Sequence, residues 1–285
     1  MFTTLISARE LQHLMASGAP LRVFDCSFEL MKPDAGADQY RDEHIPGSVY
    51  VHLDQHLSDK DGADRASGGR HPLPSRETFA RRMASLGLSD GEQVVVLDRQ
   101  GANYCGRLWW MLKWCGHEAV AVLDGGLAAW KAAGGALDSG PSPTPEPGHF
   151  TLKPAAAVTA STHSISTSLG RPTQTLIDAR AGARFRGEVE PLDPVAGHIP
   201  GALNRPFGEN IGPDGRFKPA AQLRAEFEQL LAGRDPASVV HHCGSGVSAI
   251  PNLLAMEVAG LGRTALYPGS WSEWCNTPDK PCAVG

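Results

Sequence analysis

Ser238-Val239-Val240-His241-His242-Cys243-Gly244-Ser245-Gly246-Val247-Ser248 is the stretch that decides the fold. A short β-branched run ends in a cysteine, two glycines shape the loop behind it, and Ser248 to Ala259 then carries apolar residues at helical period. A strand that turns through glycines into a helix is the building unit of an open parallel sheet, in which ligands sit at the carboxyl ends of strands. Cys243 stands at that position. Gly244 and Gly246 let the backbone curl with its N–H groups inward, and Ser248 reads as the N-cap of the following helix, so a thiolate at 243 would face amide dipoles and a positive helix end. Such a nest lowers a thiol pKa and holds an anion.

Working outward, the chain contains a weak internal repeat. Val23-Phe24-Asp25 precedes His44-Ile45-Pro46-Gly47, and Leu176-Ile177-Asp178 precedes His198-Ile199-Pro200-Gly201. Val94-Val95-Val96-Leu97-Asp98 corresponds to Val239-Val240-His241-His242-Cys243, and Asp124-Gly125-Gly126 with Trp130 corresponds to Pro268-Gly269-Ser270 with Trp274. Four landmarks in one order imply two copies of one domain. Between them, Asp138-Ser139-Gly140-Pro141-Ser142-Pro143-Thr144-Pro145-Glu146-Pro147-Gly148 reads as an extended connector. The expected organisation is a first domain over 1–137, a linker over 138–149 and a second domain over 150–285. Helical periods at Ser75–Leu86, Asn103–Trp114, Pro219–Leu231 and Ser248–Ala259 alternate with short strands. The predicted fold class is therefore α/β, each domain a mainly parallel sheet flanked by helices.

Composition narrows the function classes. The net charge of −5, from 26 basic and 31 acidic residues among 285, argues against nucleic acid or an anionic membrane as partner. No apolar run reaches membrane-span length, and Arg9, Glu10 and His13 interrupt the place where a signal peptide needs an apolar core, so a cytoplasmic protein is expected. The six cysteines form no Cys-x-x-Cys pair and suggest neither a zinc cage nor a disulfide framework. His241 and His242 alternate along an extended strand and point to opposite faces, poor geometry for one metal, and no cofactor is implied. His44 and His198 recur in both copies, which favours a structural role. Trp109, Trp110 and Trp114 follow helical spacing and read as packing, whereas Trp271 and Trp274 are placed to wall a pocket near Cys243.

The Cys243–Ser248 loop, the paired His-Ile-Pro-Gly segments, Arg184-Phe185-Arg186-Gly187, Leu123-Asp124-Gly125-Gly126 and Gly269-Ser270-Trp271-Ser272-Glu273-Trp274 together resemble the two-domain sulfurtransferases, which include rhodanese and 3-mercaptopyruvate sulfurtransferase. The resemblance spans nearly the whole chain. It implies two rhodanese-type domains, the second catalytic and the first not, because Asp98 occupies the first copy's cysteine position and a carboxylate cannot carry sulfane sulfur. Cys105, within an apolar helical stretch, reads as packing.

The chemistry expected from this resemblance is attack by Cys243 on a donor's sulfur, storage as a persulfide within Gly244, Ser245, Gly246, Val247 and Ser248, and transfer to a thiophilic acceptor: cyanide, a small thiol or a protein dithiol such as thioredoxin. Rhodaneses that prefer thiosulfate carry cations in this loop; Gly244 and Ser245 carry none, which favours 3-mercaptopyruvate. The resemblance aligns Arg184 with one substrate arginine, but the family's second falls near Pro191, where no basic residue stands; Arg186 or Arg205 reaching in, or a single anchor, are the alternatives. It also assigns Ser245, His71 and Asp54 to a proton relay. Phosphatase chemistry is disfavoured by Ala249, where a phosphate-binding arginine would be needed. Thiosulfate sulfur transfer, or a persulfide carrier with little turnover, remain alternatives.

Overall fold

The computed structural model describes residues 1–285. The chain divides into two units, one of Met1–Asp59, Pro74–Ala156 and Pro213–Phe217, the other of Lys60–Leu73, Ala157–Gly212 and Lys218–Gly285. Each is an α/β unit built on a five-stranded sheet. The stretch 60–73 belongs to the second unit, although it lies in the first half of the sequence.

In the first unit, β1 (Leu5–Ile6), β2 (Leu21–Asp25), β3 (Val49–Tyr50), β4 (Gln93–Leu97) and β5 (Val120–Leu123) pair in the order β1-β5-β4-β2-β3, all parallel. Every residue of β4 and β5 is buried, as expected for a parallel sheet covered on both faces by helices. The helix Arg76–Ser85 starts where Ser75 accepts the Thr78 N–H (3.1 Å). All ten residues of the helix Cys105–Trp114 are buried, so Trp109, Trp110, Trp114 and Cys105 are core residues, as their spacing predicts. Burying each large side chain contributes about 1.5–3 kcal/mol.

The second unit repeats this plan. Its strands β6 (Val158–Thr159), β7 (Thr175–Asp178), β8 (Leu203–Asn204), β9 (Val239–His242) and β10 (Ala265–Leu266) pair in the order β6-β10-β9-β7-β8, again all parallel. The duplication also extends to details. His44 stacks on Tyr40 at 4.0 Å with Nδ1 2.8 Å from the Tyr40 carbonyl; His198 stacks on Phe185 at 3.8 Å with Nδ1 2.8 Å from the Phe185 carbonyl. Both recurrent histidines thus stack on an aromatic residue of a preceding helix and engage its carbonyl.

Two expectations need correction here. Trp271 and Trp274 do not wall a pocket: both are fully buried among Ile165, Leu176, Ile199 and Tyr267, with indole N–H groups donated to the Val195 and Pro281 carbonyls. Ser248 is not the N-cap of the next helix, which runs Ile250–Val258 behind Ala249 with no side-chain cap. Pro251 explains the later start. Its missing N–H and fixed φ suit a first turn, where no partner is needed.

Candidate active site

Cys243 follows β9 directly and is 1% exposed. β9 lies between β7 and β10, so its carboxyl end opens beside Asp178, which is in register with His242, and beside the segment after Leu266. The Cys243 N–H donates to the Ser270 hydroxyl (3.1 Å), the Cys243 carbonyl accepts the Trp271 N–H (2.9 Å) and the Gly244 carbonyl accepts the Ser272 N–H (2.8 Å). Ser270 holds a left-handed conformation (φ 55°), and its hydroxyl donates in turn to the Tyr267 carbonyl (2.9 Å). The start of the loop is therefore clamped by the Ser270 hydroxyl and by backbone bonds to Trp271 and Ser272. At Gly246, φ is +73° and an added Cβ would lie 2.3 Å from the Pro268 carbonyl oxygen, so only glycine fits without movement.

The corresponding loop of the first unit offers an internal comparison. There Asp98, fully buried, accepts backbone N–H groups from Gln100 (2.9 Å), Ala102 (2.9 Å), Tyr104 (2.8 Å) and Cys105 (2.9 Å). Burial still pushes its carboxyl above the ordinary range, against the pull of those four donors. In the second unit, the equivalent N–H groups of Ser245, Val247 and Ala249 donate to no group of the chain. The loop that satisfies a carboxylate in one copy leaves the corresponding donors without a protein acceptor in the other.

Two side chains expected at the site meet there. Ser245 Oγ lies 2.7 Å from His71 Nδ1, and both residues are buried. Asp54 belongs to the first unit, on the turn Leu53–His56, where its backbone N–H donates to His52 Nδ1 (3.1 Å). Ser248 and Val247 continue the loop without side-chain partners.

Arg184 approaches the loop as expected. A Cβ placed on Gly244 would lie 3.5 Å from Arg184 Nη1. The same Cβ would lie 3.0 Å from Arg70 Nη2, so a second guanidinium, absent from the sequence expectation, faces Gly244. Carboxylates hold both. Glu190 accepts from Arg184 at 2.6 and 3.2 Å, and Asp193 accepts from Arg70 (2.6 Å) and Arg184 (3.3 Å). Burial opposes the charge on Glu190, yet Arg184 and the Leu192 and Asp193 N–H groups hold its carboxyl below the usual range. Arg180, paired with Asp178 (2.7 Å) and Glu190 (3.3 Å), stacks 4.8 Å from the Trp271 ring.

Both alternative anchors are engaged by other groups. Arg186 is half exposed and paired with Glu188 at 2.6 Å, and Arg205 is bound to Asn210 (3.1 Å) and Glu226 (2.7 Å). Glu188, two residues on, engages Arg186 at the surface. His241 Nε2 lies 3.2 Å from the Met256 sulfur, and burial pushes the imidazoles of both His241 and His242 downward, to about 3 for His241. No helix of the chain is long and apolar enough to cross a membrane.

Residues 7–133 and 161–277 each match the rhodanese-like domain model. The chain is 45% identical over 282 residues to a protein of Pseudomonas aeruginosa named a probable 3-mercaptopyruvate sulfurtransferase, covering 99% of this chain and 98% of that protein. It is 39% identical over 285 residues to a Mycobacterium tuberculosis protein named "Putative thiosulfate sulfurtransferase SseB", covering 99% of this chain and 97% of that protein. Among solved structures it resembles the 3-mercaptopyruvate sulfurtransferase from Leishmania major, with a TM-score of 0.83 and 31% identity over 98% of this chain and 76% of that one.

Proposed function

The chain belongs to the rhodanese-like sulfurtransferases, and from that premise we propose that it moves sulfur from 3-mercaptopyruvate through a Cys243 persulfide to a thiophilic acceptor. The observation that carries this reading is the contrast between the two loops: Asp98 satisfies its own ring of amides, whereas the ring around Cys243 keeps donors at Ser245, Val247 and Ala249.

In the proposed first step the Cys243 thiolate attacks the donor sulfur. A sulfur–sulfur bond forms, the carbon–sulfur bond breaks, and its electron pair leaves on carbon as the pyruvate enolate. The donor's thiol proton ends on that carbon, so one proton crosses the site and pyruvate departs. Ser245 and His71, 2.7 Å apart, are the groups positioned to pass it. The terminal persulfide sulfur then carries negative charge inside the amide ring, which stabilises it as it would an oxyanion. An acceptor thiolate, cyanide or one sulfur of a protein dithiol such as thioredoxin attacks that outer sulfur and restores the Cys243 thiolate.

Arg184 would hold the donor's carboxylate. A donor with one remote carboxylate suits a loop without cationic side chains better than the thiosulfate dianion does. Steady-state pyruvate release from 3-mercaptopyruvate with a small thiol acceptor tests the proposal against a persulfide carrier. Sustained turnover supports the enzyme; a single equivalent of pyruvate per chain, followed by arrest, overturns it.

A further inference from the structure

We propose that Ser272 is the positioning residue of the proton path: its hydroxyl holds the backbone just ahead of His71, its backbone holds the residue just behind Cys243, and the two together set the imidazole against Ser245. This rests on the reading of Ser245 and His71 as the groups that pass the proton, and it names what aligns them.

The segment that carries His71 is a loop closed on itself. The Ala66 N–H donates to the Leu73 carbonyl (2.8 Å) and the Leu73 N–H to the Ser67 hydroxyl (2.9 Å), so Gly68, Gly69, Arg70 and His71 form the tip of a compact loop within the second unit. The tip lies against the helix Ser270–Trp274. A Cβ built on Gly68 would lie 2.6 Å from Glu273 Oε1, and one on Gly69 would lie 2.6 Å from the Gly269 carbonyl oxygen and 2.8 Å from Ser272 Oγ. Gly69 also holds φ +85°. Two glycines thus bring the backbone closer to the helix than a side chain would permit.

Ser272 uses that approach. It is 5% exposed, its hydroxyl donates to the Gly269 carbonyl (3.2 Å), and the same oxygen accepts the Arg70 N–H (2.9 Å). Its own N–H donates to the Gly244 carbonyl (2.8 Å). Arg70 stands one residue before His71, and Gly244 stands between Cys243 and Ser245. With the 2.7 Å contact between Ser245 Oγ and His71 Nδ1, these bonds close a ring through Ser272, Gly244, Ser245, His71 and Arg70. Proton transfer needs heavy atoms about 2.6–3.2 Å apart, and a misplacement of about 1 Å can cost about hundredfold in rate. The Arg70 guanidinium is fastened separately to Asp193 (2.6 Å), but a charge at the end of a flexible side chain does not fix the backbone that carries His71. Ser272→Ala removes the bond to the tip and keeps the N–H on Gly244, so it opens the ring at one place only.

The test uses the full chain and follows the two half-reactions separately: first-turnover pyruvate release from 3-mercaptopyruvate, and removal of sulfur from the loaded protein by a small thiol. Hydrogen exchange of the peptide spanning residues 66–72 reports the docking of the tip. The parent is compared with Ser272→Ala, Ser272→Thr, His71→Ala and the double change, and with Thr277→Ala, which removes another hydroxyl bonded back to its own segment, on the Glu273 carbonyl (2.7 Å). Ser272→Ala should exchange faster over residues 66–72 and release the first pyruvate about tenfold more slowly, while sulfur removal stays within about twofold of the parent. Ser272→Thr, which keeps the hydroxyl, should recover most of that rate, and Thr277→Ala should match the parent throughout. Added to His71→Ala, Ser272→Ala should cost less than about twofold, because the group it aligns is already gone. An equal loss in both backgrounds, an equal slowing of both half-reactions, or a first turnover that Ser272→Ala leaves unchanged while His71→Ala slows it, overturns the positioning role. If instead His71→Ala itself turns over at the parent's rate, it is the proton path that fails, and the exchange measurement still reads whether Ser272 holds the tip.

Discussion

The two loop glycines should respond to alanine in opposite ways, one through stability and the other through substrate. At Gly246 the chain is left-handed, a conformation that costs a residue bearing Cβ about 1–2 kcal/mol. The added methyl also lies 2.3 Å from the Pro268 carbonyl oxygen, backbone that cannot swing aside. Forcing a local shift of that kind costs about 1–3 kcal/mol. Gly246→Ala should therefore destabilise by about 2–5 kcal/mol, and at roughly 2–4 °C per kcal/mol the melting temperature should fall by about 4–20 °C. At Gly244 the nearest atoms are the tips of Arg70 and Arg184 side chains. These can move, and the lost flexibility of the unfolded chain compensates, so Gly244→Ala should melt within about 3 °C of the parent. Its cost should appear as a raised KM for 3-mercaptopyruvate, because the methyl occupies the space into which both guanidiniums point. Differential scanning calorimetry with donor kinetics separates the two effects. A Gly246→Ala protein that melts with the parent, or a Gly244→Ala protein that loses stability and keeps its KM, would refute this account of the loop.

Asp98→Ala leaves four backbone donors of the first unit without an acceptor; at about 1–3 kcal/mol for each orphaned group, urea unfolding should report a loss above roughly 4 kcal/mol, and a loss below about 1 kcal/mol would contradict the filled-nest reading. His241 is buried with its pKa lowered to about 3 from 6.5. Below pH 6.5 the unfolded chain takes up a proton the folded chain refuses, so stability should decline as pH falls toward 3, by up to about 1.4 kcal/mol per pH unit. His241→Asn should flatten that decline in urea titrations at neutral and mildly acidic pH; an equally steep decline would assign the acid sensitivity elsewhere. His71→Ala should lower kcat about hundredfold and reshape its pH profile, and turnover at the parent's rate across neutral pH would remove His71 from the proton path.

What the sequence discloses depends on how local the physics is. Cys243 is legible because strand, glycine loop and helix are consecutive, and its copy at Asp98 shows which of the two can carry sulfur. The tryptophans of Cys105–Trp114 are legible as packing because the stretch is rich in large apolar residues, whereas the burial of Arg107 and Lys113 on the same helix is not. Arg70 is not, because it comes from a loop in the first half of the sequence that folds into the second unit. The signal nearest to it was His71, already singled out one residue later in Gly69-Arg70-His71-Pro72. The sequence shows only a gap near Pro191, where an arginine is sought; the contacts of Asp193, two residues on, reveal a carboxylate shared by Arg70 and Arg184. Ser248 misleads for a local reason, since Pro251 sets the helix start more strongly than a serine cap.

The central claim is that sulfur resides on Cys243. Mass spectrometry of the intact chain and its peptides after treatment with 3-mercaptopyruvate, without acceptor, addresses it directly. The account predicts one added sulfur atom on the peptide bearing Cys243, removed by a small thiol, and no addition in Cys243→Ser. A sulfur adduct that persists in Cys243→Ser, or that maps to Cys275 or Cys282 in the parent, would contradict it.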